Sequence, residues 1–420
     1  MNIGCMHDEA RRVRPLAMRA YDDARARSWP FMSDVLEDAL RGAAEEDRAV
    51  VTAVAQALVR YDRLLGFASG SVTSDARFDA LLALLRGDTD LTPRLARIHD
   101  PTERLGTTYS VPDWLVDVVR SELGEAATAV ALARMNEPPP RVARVNTLKT
   151  TLEACAAALA EEGIDSRPTA HAAQGLMLEG RRSMFRTQAF ARGELEGQDE
   201  ASQLVAELVA PPPRSFVVDA CAGAGGKTLA LAALLAGKGK LLAIDSSRGK
   251  LEELRRRARR AGASNVEARE VDLLGPADAL KELEGRASRV LVDAPCTGLG
   301  AIRRNPEARW RLRKDDLSRL VATQAALCKS AARLVAPRGR LVFATCSFLP
   351  SEGEVAIDFF LSEHPDFKLV TARDVLGRAR TEGVATADGK YLRTWRFDGT
   401  PDGGDAGMDG FFAAVLRRVE

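Results

Sequence analysis

The stretch SFVVDACAGAGGKTLALAALLA, residues 215–236, decides the fold of this chain. Its first part, SFVVDA, is a short apolar run typical of a buried strand, and the part that follows Lys227 is typical of a helix. The glycines between them, Gly223, Gly225 and Gly226, let the backbone turn and approach a ligand closely. The unpaired N–H groups at a helix N-terminus would also point at that ligand. The stretch therefore predicts an α/β fold with a nucleotide-type binding loop.

The chain continues to alternate between strands and helices after this loop. The stretches that predict strands are LLAID (241–245), NVEAREVD (265–272), RVLVDAP (289–295) and RLVFATCS (340–347). Helices are expected between them, over 316–335 and 352–363 among others, the second with a capping box from Ser351 and Glu354. Strands separated by helices of this length predict a doubly wound, mostly parallel sheet.

Two triple-proline segments, 138–140 and 211–213, interrupt the chain before this sheet. Residues 1–105 carry apolar residues at helical spacing, which predicts a helical domain. Residues 106–205 contain a β–α–β rhythm in RVARVNT, LEACAAALAEEGI and GLMLEG, which predicts a small α+β module. With the sheet at 206–420, we predict three domains.

Composition excludes several classes of protein. The 420 residues carry 60 basic and 59 acidic side chains, so the net charge of +1 does not by itself indicate a nucleic-acid binder. No apolar run approaches the ~20 residues that a membrane span needs. The first residues, MNIGCMHDEARRVRP, lack the apolar core of a signal peptide, so we expect a cytoplasmic protein with no membrane partner. Six cysteines without a CxxC pair and four dispersed histidines predict no metal site.

Three kinds of nucleotide site compete for the glycine loop. A P-loop would need glycine in place of Cys221, although the GKT at 226–228 matches the end of its motif. Asp293, at the end of another predicted strand, could act as the Walker B acid that accompanies a P-loop. A dinucleotide loop would need glycine in place of Thr228. A loop for S-adenosylmethionine needs an acid at the end of the second strand to hold the ribose, and Asp245 stands there. The loop and the spaced acid together favour this third site.

Two cysteines follow predicted strand ends. DAPCTG contains Asp293 and Cys296, and ATCS contains Cys346. The carboxyl ends of strands in a doubly wound sheet line one crevice, so both thiols are expected beside the glycine loop. Free cysteine is commonly a buried packing residue. Two thiols beside an acid, however, suit covalent catalysis on an electron-poor ring, and this is the interpretation that we favour.

These motifs together resemble a known family. DACAGAGGKT, DAPCTG followed by RRNPEARW, ATCS followed by PSEGE, and DGFFAAVL are similar to motifs of the RsmB-type (NOL/NOP/Sun) RNA cytosine-5 methyltransferases. The upstream segments YSVPDWLV, NEPPPRVARVNTLK and QDEASQLVAELVAPPP are similar to the preceding module of the same family, so the resemblance covers about residues 109–420. Residues 1–100 are more loosely similar to the NusB-like helical domain of some bacterial members.

The resemblance implies a fold and a mechanism. The fold is a class I methyltransferase domain preceded by an α+β RNA-binding module and a helical domain. The Cys346 thiolate would add to C6 of a cytosine and make C5 able to accept a methyl group. Asp293 would hold or protonate N3 of the ring. Cys296 would assist loss of the C5 proton or release of the adduct, and the base would have to be single-stranded or flipped.

S-adenosyl-L-methionine is the cofactor that the resemblance implies. Asp245 would hold its ribose, Asp272 its adenine side, and Lys227 with the loop backbone its methionine end. Members usually read CAAPGGK where this chain has Gly223 and Ala224 in place of Ala-Pro, which loosens the turn, but we expect cofactor binding to survive. The expected cofactor residues are Cys221, Ala222, Gly223, Ala224, Gly225, Gly226, Lys227, Asp245, Asp272 and Asp293.

A basic cluster after DAPCTG is the predicted RNA contact. Its members interleave arginines with an aromatic ring, which suits phosphate contacts and base stacking on single-stranded RNA; they are Arg303, Arg304, Arg309, Trp310 and Arg311. We expect ribosomal RNA rather than transfer RNA as the substrate, and a monomeric enzyme. Two other functions stay open, a P-loop-like NTPase and a non-catalytic RNA-binding ribosome-assembly factor on a methyltransferase fold.

Overall fold

The computed structural model describes residues 7–276, 279–397 and 407–419. Close backbone contacts divide the chain into two compact units, one of Met1–Pro138 with Ala301–Asp316, the other of Pro139–Gly300 with Leu317–Glu420. This division does not follow the predicted boundaries after residues 105 and 205. The helices before Pro138 join the first unit, and the α+β module joins the sheet, so the three-domain division stays a prediction.

The first unit is helical. Its apolar residues at helical spacing pack into one core, in which Val51, Val54 and Leu58 are fully buried. A burial stripe of this kind supplies most of the stability of helices as short as these. The helices of its first stretch are α1 (His7–Arg12), α2 (Arg14–Ala26), α3 (Met32–Ala39), α4 (Glu45–Arg60), α5 (Asp62–Ser69), α6 (Ser74–Arg86), α7 (Thr92–Leu95), α8 (Pro101–Tyr109), α9 (Asp113–Leu123) and α10 (Glu125–Arg134).

The second unit begins with the predicted α+β module. Its four strands form an antiparallel sheet in the order β2-β3-β1-β4, and one helix packs its buried Cys155 and Leu159 into the module core. The elements are β1 (Val142–Val145), α11 (Leu152–Glu161), β2 (Ser166–Pro168), β3 (Gly175–Leu178), α12 (Gln188–Ala191) and β4 (Leu195–Gly197).

The rest of the second unit is built on a larger sheet. Its strands run in the order β10-β12-β9-β8-β5-β6-β7, with β11 paired to β12. The elements are α13 (Glu200–Leu208), β5 (Phe216–Asp219), α14 (Gly226–Leu234), β6 (Lys240–Asp245), α15 (Arg248–Ala261), β7 (Val266–Glu270), β8 (Ala287–Asp293), α16 (Ala308–Arg311, in the first unit), α17 (Lys314–Ala332), β9 (Val335–Thr345), α18 (Glu354–Glu363), β10 (Phe367–Val370), α19 (Ala372–Leu376), α20 (Arg378–Thr381), β11 (Leu392–Arg393) and β12 (Phe412–Arg418).

The pairing of these strands confirms the predicted doubly wound sheet. The strands β7, β6, β5, β8 and β9 are parallel, and β12 is antiparallel to its neighbours. Apolar clusters cover both faces, as a parallel sheet requires. Because β6 and β8 lie on opposite sides of β5, the strand order reverses there, and a ligand crevice is expected at the carboxyl end of β5.

The described ranges contain neither a membrane-spanning helix nor a metal-binding cluster. No helix within them has the length and apolar character that crossing a membrane requires. Their histidine, cysteine and carboxylate side chains form no group of three or more that could hold a metal ion.

Candidate active site

The glycine loop joins β5 to α14 at the expected crevice. Gly223 has φ +53° and Gly225 has φ +89°, the left-handed region that glycine enters without strain. A Cβ on Gly225 would lie 2.7 Å from Cγ of Leu254, so α15 also requires glycine there. At Gly223 and Gly226 no described atom lies within 4 Å of the place that a Cβ would occupy. The loop therefore presents open backbone to a ligand.

The carboxylate of Asp245 is fastened to this loop. The N–H of Gly223 donates a hydrogen bond to Oδ2 at 2.8 Å, and the N–H of Ser247 donates to Oδ1 at 2.8 Å. Asp245 ends β6 and stays half-buried, so it keeps a side open toward the crevice. The structure thus brings the predicted ribose acid beside the glycine loop.

Asp219, the last residue of β5, lies buried beneath the loop. It is 1% exposed, and Oγ1 of Thr228 in α14 donates to its Oδ2 at 2.7 Å. Burial raises the pKa of Asp219 to about 7, although the Thr228 hydrogen bond acts in the opposite direction. From the sequence, Asp219 is only the predicted end of a strand. Its place at the start of DACAGAGGKT is the signal that could have indicated a buried acid.

Lys227 and Asp293 form an ion pair at the crevice. Nζ of Lys227 lies 2.6 Å from Oδ2 of Asp293 and 4.9 Å from the centre of the Phe411 ring. Burial opposes the charge on Lys227, but the charge and hydrogen bond of Asp293 outweigh it, so the pKa of Lys227 is raised. Both predicted residues are therefore charged partners at one place.

The two cysteines meet at the same edge of the sheet. Asp293 of β8 stands opposite Ala344 of β9 in parallel register, and this pairing brings the segments that follow them together. Sγ of Cys296 lies 3.2 Å from Sγ of Cys346, and both are half-buried free thiols. The hydrogen bond with Cys346, together with burial, raises the pKa of Cys296, so this thiol stays protonated at neutral pH.

A buried glutamate that sequence reasoning missed holds the two cysteine segments together. Glu352 is fully buried, and its Oε1 accepts hydrogen bonds from the N–H of Thr297 and from Nε2 of Gln324, both at 2.9 Å. Oε2 accepts from Oγ1 of Thr297 at 2.5 Å, and the backbone oxygen of Glu352 accepts from Oγ1 of Thr345 at 2.9 Å. Thr297 follows Cys296 and Thr345 precedes Cys346.

The other predicted cofactor residues differ in how they are placed. Burial raises the pKa of Cys221, and the charges of Asp219, Asp293 and Asp245 raise it further. The thiol of Cys221 is therefore protonated among these carboxylates. Ala222 is buried, with its N–H donating to the backbone oxygen of Ile244 at 2.8 Å.

Asp272 does not end its strand as predicted. Strand β7 ends at Glu270, and Asp272 is exposed two residues further on. Its Oδ1 accepts from the N–H of Leu274 at 2.9 Å, which is the hydrogen bond of a local turn.

Burial corrects the predicted RNA-binding role of Arg309. This residue is fully buried in the first unit, and its guanidinium donates to Oδ1 of Asn136 at 2.7 Å and to the backbone oxygens of Arg60, Ser110 and Met135 at 3.2 Å. Burial and the nearby charge of Arg60 lower the pKa of Arg309 to about 9. The prediction is wrong here, because the side chain is occupied by carbonyl groups of the helical unit.

Arg303 is corrected for the same reason. It is 1% exposed, its backbone oxygen accepts a hydrogen bond from Nη2 of Arg60 at 2.6 Å, and its guanidinium lies 3.6 Å from the carboxylate of Glu137. The planar donors of arginine fit buried carbonyl and carboxylate groups as well as they fit phosphate. The sequence pattern alone therefore could not separate a structural cluster from an RNA surface.

The other three residues of the cluster are only partly covered. Trp310 is half-buried, and its Nε1 donates a hydrogen bond to the backbone oxygen of Val59 at 2.7 Å. The centres of the Trp310 and Trp29 rings lie 6.0 Å apart. The guanidinium of Arg311 lies over the Phe31 ring at 4.2 Å. Arg304 is half-buried. An RNA contact at Arg304, Trp310 and Arg311 stays a prediction.

This chain is similar to several known proteins. A Synechocystis protein named probable ribosomal RNA small subunit methyltransferase B is 36% identical over 316 residues, which are 75% of this chain and 68% of that protein. The solved structure of PH0851 is 26% identical, with a TM-score of 0.79 over 96% of this chain and 99% of that one. NSun6 from Pyrococcus horikoshii, solved with SFG, is 21% identical and shares the fold, with a TM-score of 0.62 over 74% of this chain and 98% of that one.

Two family models match the chain itself. Residues 111–184 match the ferredoxin-like domain of RsmF/B-like methyltransferases. Residues 206–417, which contain the glycine loop, the ion pair and both thiols, match the model described as 16S rRNA methyltransferase RsmB/F. This chain belongs to the RsmB/F family of rRNA methyltransferases.

Proposed function

We propose that this protein methylates C5 of a cytosine in ribosomal RNA, with S-adenosyl-L-methionine as cofactor and a transient bond between Cys346 and C6 of the base. One observation carries the proposal. Two free thiols, Cys296 and Cys346, lie 3.2 Å apart at neighbouring strand ends, beside the ion pair of Lys227 and Asp293. A direct attack by C5 on the methyl group would be slow because this carbon is a poor nucleophile, and a thiolate at C6 makes it enamine-like.

The residues around the glycine loop fit this cofactor. Open backbone at Gly223 and Gly226 leaves room for a close ligand, and the fixed Asp245 carboxylate suits ribose hydroxyls. Lys227 with the loop backbone would hold the methionine end, and Asp272 would lie at the adenine side. When bound, the cofactor supplies an electrophilic methyl group. The NSun6 structure contains SFG, an analogue of S-adenosylmethionine, on the same fold, which supports this assignment.

The proposed reaction uses the two thiols in order. The thiolate of Cys346 attacks C6, while Asp293 holds or protonates N3. The hydrogen bond with Cys346, then burial, raises the pKa of Cys296. Once Cys346 is bonded to carbon, this one contribution to the raised pKa is removed, which favours Cys296 as the base that takes the C5 proton.

The expectations about partners belong to the same proposal. The substrate class, small-subunit ribosomal RNA, follows from the names of the relatives, and we expect a monomeric enzyme that acts in the cytoplasm. No specific observation favours a P-loop NTPase, and Cys221 stands where the first glycine of a P-loop would be. A non-catalytic assembly factor would not need both thiols.

Bisulfite sequencing of total RNA tests the proposed reaction. RNA from cells with and without the gene is compared, with rescue by the wild-type protein, by Cys346→Ala and by Cys155→Ala. Cys155 is buried in the α+β module, so its variant controls for the loss of a thiol. We expect one methylated cytosine to disappear without the gene and to return with the wild type and Cys155→Ala only. If no site changes, the RNA-binding scaffold becomes the better account.

A further inference from the structure

One arginine side chain joins the glycine loop to the α+β module. Arg257 lies on α15, and its Nη1 donates a hydrogen bond to the backbone oxygen of Ala224 at 2.8 Å. Its Nη2 donates to Oε2 of Glu196, on β4 of the module, at 3.0 Å. The planar guanidinium can hold two acceptors at once in a fixed geometry. Arg257 thus contacts the loop with one nitrogen and the module with another.

The module end of this link is rigid. Glu196 is 3% exposed and also pairs with Nη2 of Arg260, so its buried charge is neutralised by two arginines. The guanidinium of Arg260 lies over the Phe190 ring at 3.9 Å. Nδ2 of Asn146 donates to the backbone oxygen of Ala261 at 2.8 Å, which ties the end of α15 to β1.

The conformation of the glycine loop at Ala224 depends on the contact with Arg257. Ala224 stands between two glycines with left-handed backbone, the residues with the most conformational freedom. The N–H of Gly225 donates to the backbone oxygen of Ala222 at 2.9 Å, and the carbonyl of the same peptide group accepts from Arg257. This peptide plane is therefore held on both sides.

We propose that Arg257 is a positioning residue that holds the glycine loop in its cofactor-binding conformation, and that Glu196 of the module holds Arg257 in place. The module then contributes to cofactor affinity although it does not form the cofactor site. This inference rests on the proposed use of S-adenosyl-L-methionine. It adds a role for two residues that lie outside the motifs of the loop.

Calorimetric binding of S-adenosyl-L-methionine to the purified full-length protein tests the inference, together with steady-state kinetics. The Arg257→Met variant keeps the aliphatic stem and removes both hydrogen bonds. We expect its Kd and KM for S-adenosyl-L-methionine to rise roughly ten-fold, with kcat at saturating cofactor changed by less than about two-fold. The control is Arg256→Met, since Arg256 pairs with the exposed Glu253 on the same helix.

A rescue distinguishes positioning from a general loss of stability. Proline at position 224 restricts φ and removes loop freedom without any contact to α15. Ala224 is not among the residues with positive φ, a backbone conformation that proline cannot adopt. We expect Ala224→Pro combined with Arg257→Met to bind S-adenosyl-L-methionine within about three-fold of Ala224→Pro alone.

Three results separate the accounts. If the wild type does not bind S-adenosyl-L-methionine, the proposed function fails. If the wild type binds and Arg257→Met binds equally tightly, or if proline gives no rescue, the inference is overturned. Should Arg257→Met not fold, Glu196→Gln serves instead, because it keeps the shape of the link and removes the charge. A Kd for Glu196→Gln equal to that of the wild type would also contradict the inference.

Discussion

Glu352 is the residue whose role was least visible in the sequence. Its carboxylate is fully buried and accepts hydrogen bonds from Thr297, beside Cys296, and from Gln324. The meeting of Cys296 and Cys346 could be predicted because parallel strands end at one edge of a sheet. Glu352 could not, because its partners come from three separate segments. The only local signal is an acid in a stretch, FLPSEGE, that begins with apolar residues.

Glu352→Gln is expected to slow the reaction and to weaken the fold. The amide would place an N–H₂ group against at least one donor that the carboxylate now satisfies. An unmatched buried hydrogen bond costs ~1–3 kcal/mol of unfolding free energy, which urea denaturation would measure. Single-turnover methylation should slow at least ten-fold while RNA affinity holds.

The control for this variant is Glu354→Gln. Glu354 pairs with Arg393 on β11 and contacts neither cysteine segment. Glu354→Gln should have a lower free energy of unfolding than the wild type, but methylation should not slow as much as in Glu352→Gln. Equal loss of rate in both variants would mean that Glu352 acts only through the stability of the fold.

Asp219 predicts a dependence of stability on pH. Its folded pKa of about 7 lies above the ordinary value near 4, so the folded state binds the extra proton more tightly. Protonation of Asp219 therefore adds to the free energy of unfolding. This contribution is fully present at low pH and is lost as pH rises from about 4 to about 7. Asp219→Asn removes the titration and leaves an oxygen to accept from Thr228. The free energy of unfolding of Asp219→Asn minus that of the wild type should therefore be higher at pH 8 than at pH 5. A difference that does not change with pH would contradict the raised pKa of Asp219.

At the scale of elements, the sequence patterns predicted strands better than helix ends. The central strands β5, β6, β8 and β9 of the large sheet contain buried runs of apolar residues, and these give a clear signal in one sequence. The predicted capping box at Ser351 and Glu354 is wrong. Helix α18 begins at Glu354 after Gly353, without a side-chain cap, and the Glu354 carboxylate pairs with Arg393 instead. A partner on a distant strand is absent from any local pattern.

The RNA-binding roles predicted for Arg303 and Arg309 are wrong because both side chains are buried against helices that lie far away in the sequence. Arg309→Met would leave several buried carbonyl groups without their donor, which costs on the order of 3 kcal/mol. We expect a lower unfolding temperature in calorimetry, with RNA affinity unchanged in the fraction that stays folded. Arg313→Met is the control, because Arg313 is exposed and its loss should leave the unfolding temperature unchanged. A selective loss of RNA affinity in Arg309→Met, with normal stability, would restore the RNA-binding interpretation.

At the scale of the whole molecule, order along the chain did not predict how segments group. The α+β module was expected from its β–α–β rhythm and is present, but its association with the large sheet depends on pairs such as Arg257 and Glu196. The segment Ala301–Asp316 joins helices that precede it by more than 160 residues. Local patterns carry no information about such contacts. The NusB-like character of residues 1–100 stays a prediction.

The division of labour between the two thiols is the central claim, and trapping of a covalent complex tests it most directly. Cys296→Ala protein is incubated with small-subunit ribosomal RNA and S-adenosyl-L-methionine, resolved under denaturing conditions, and digested for mass spectrometry. We predict that Cys296→Ala forms a stable protein–RNA complex joined through Cys346. Cys346→Ala and the double variant should form no such complex, and the wild type should release methylated RNA. Normal release of methylated RNA by Cys296→Ala, or a complex that persists without Cys346, would contradict the account.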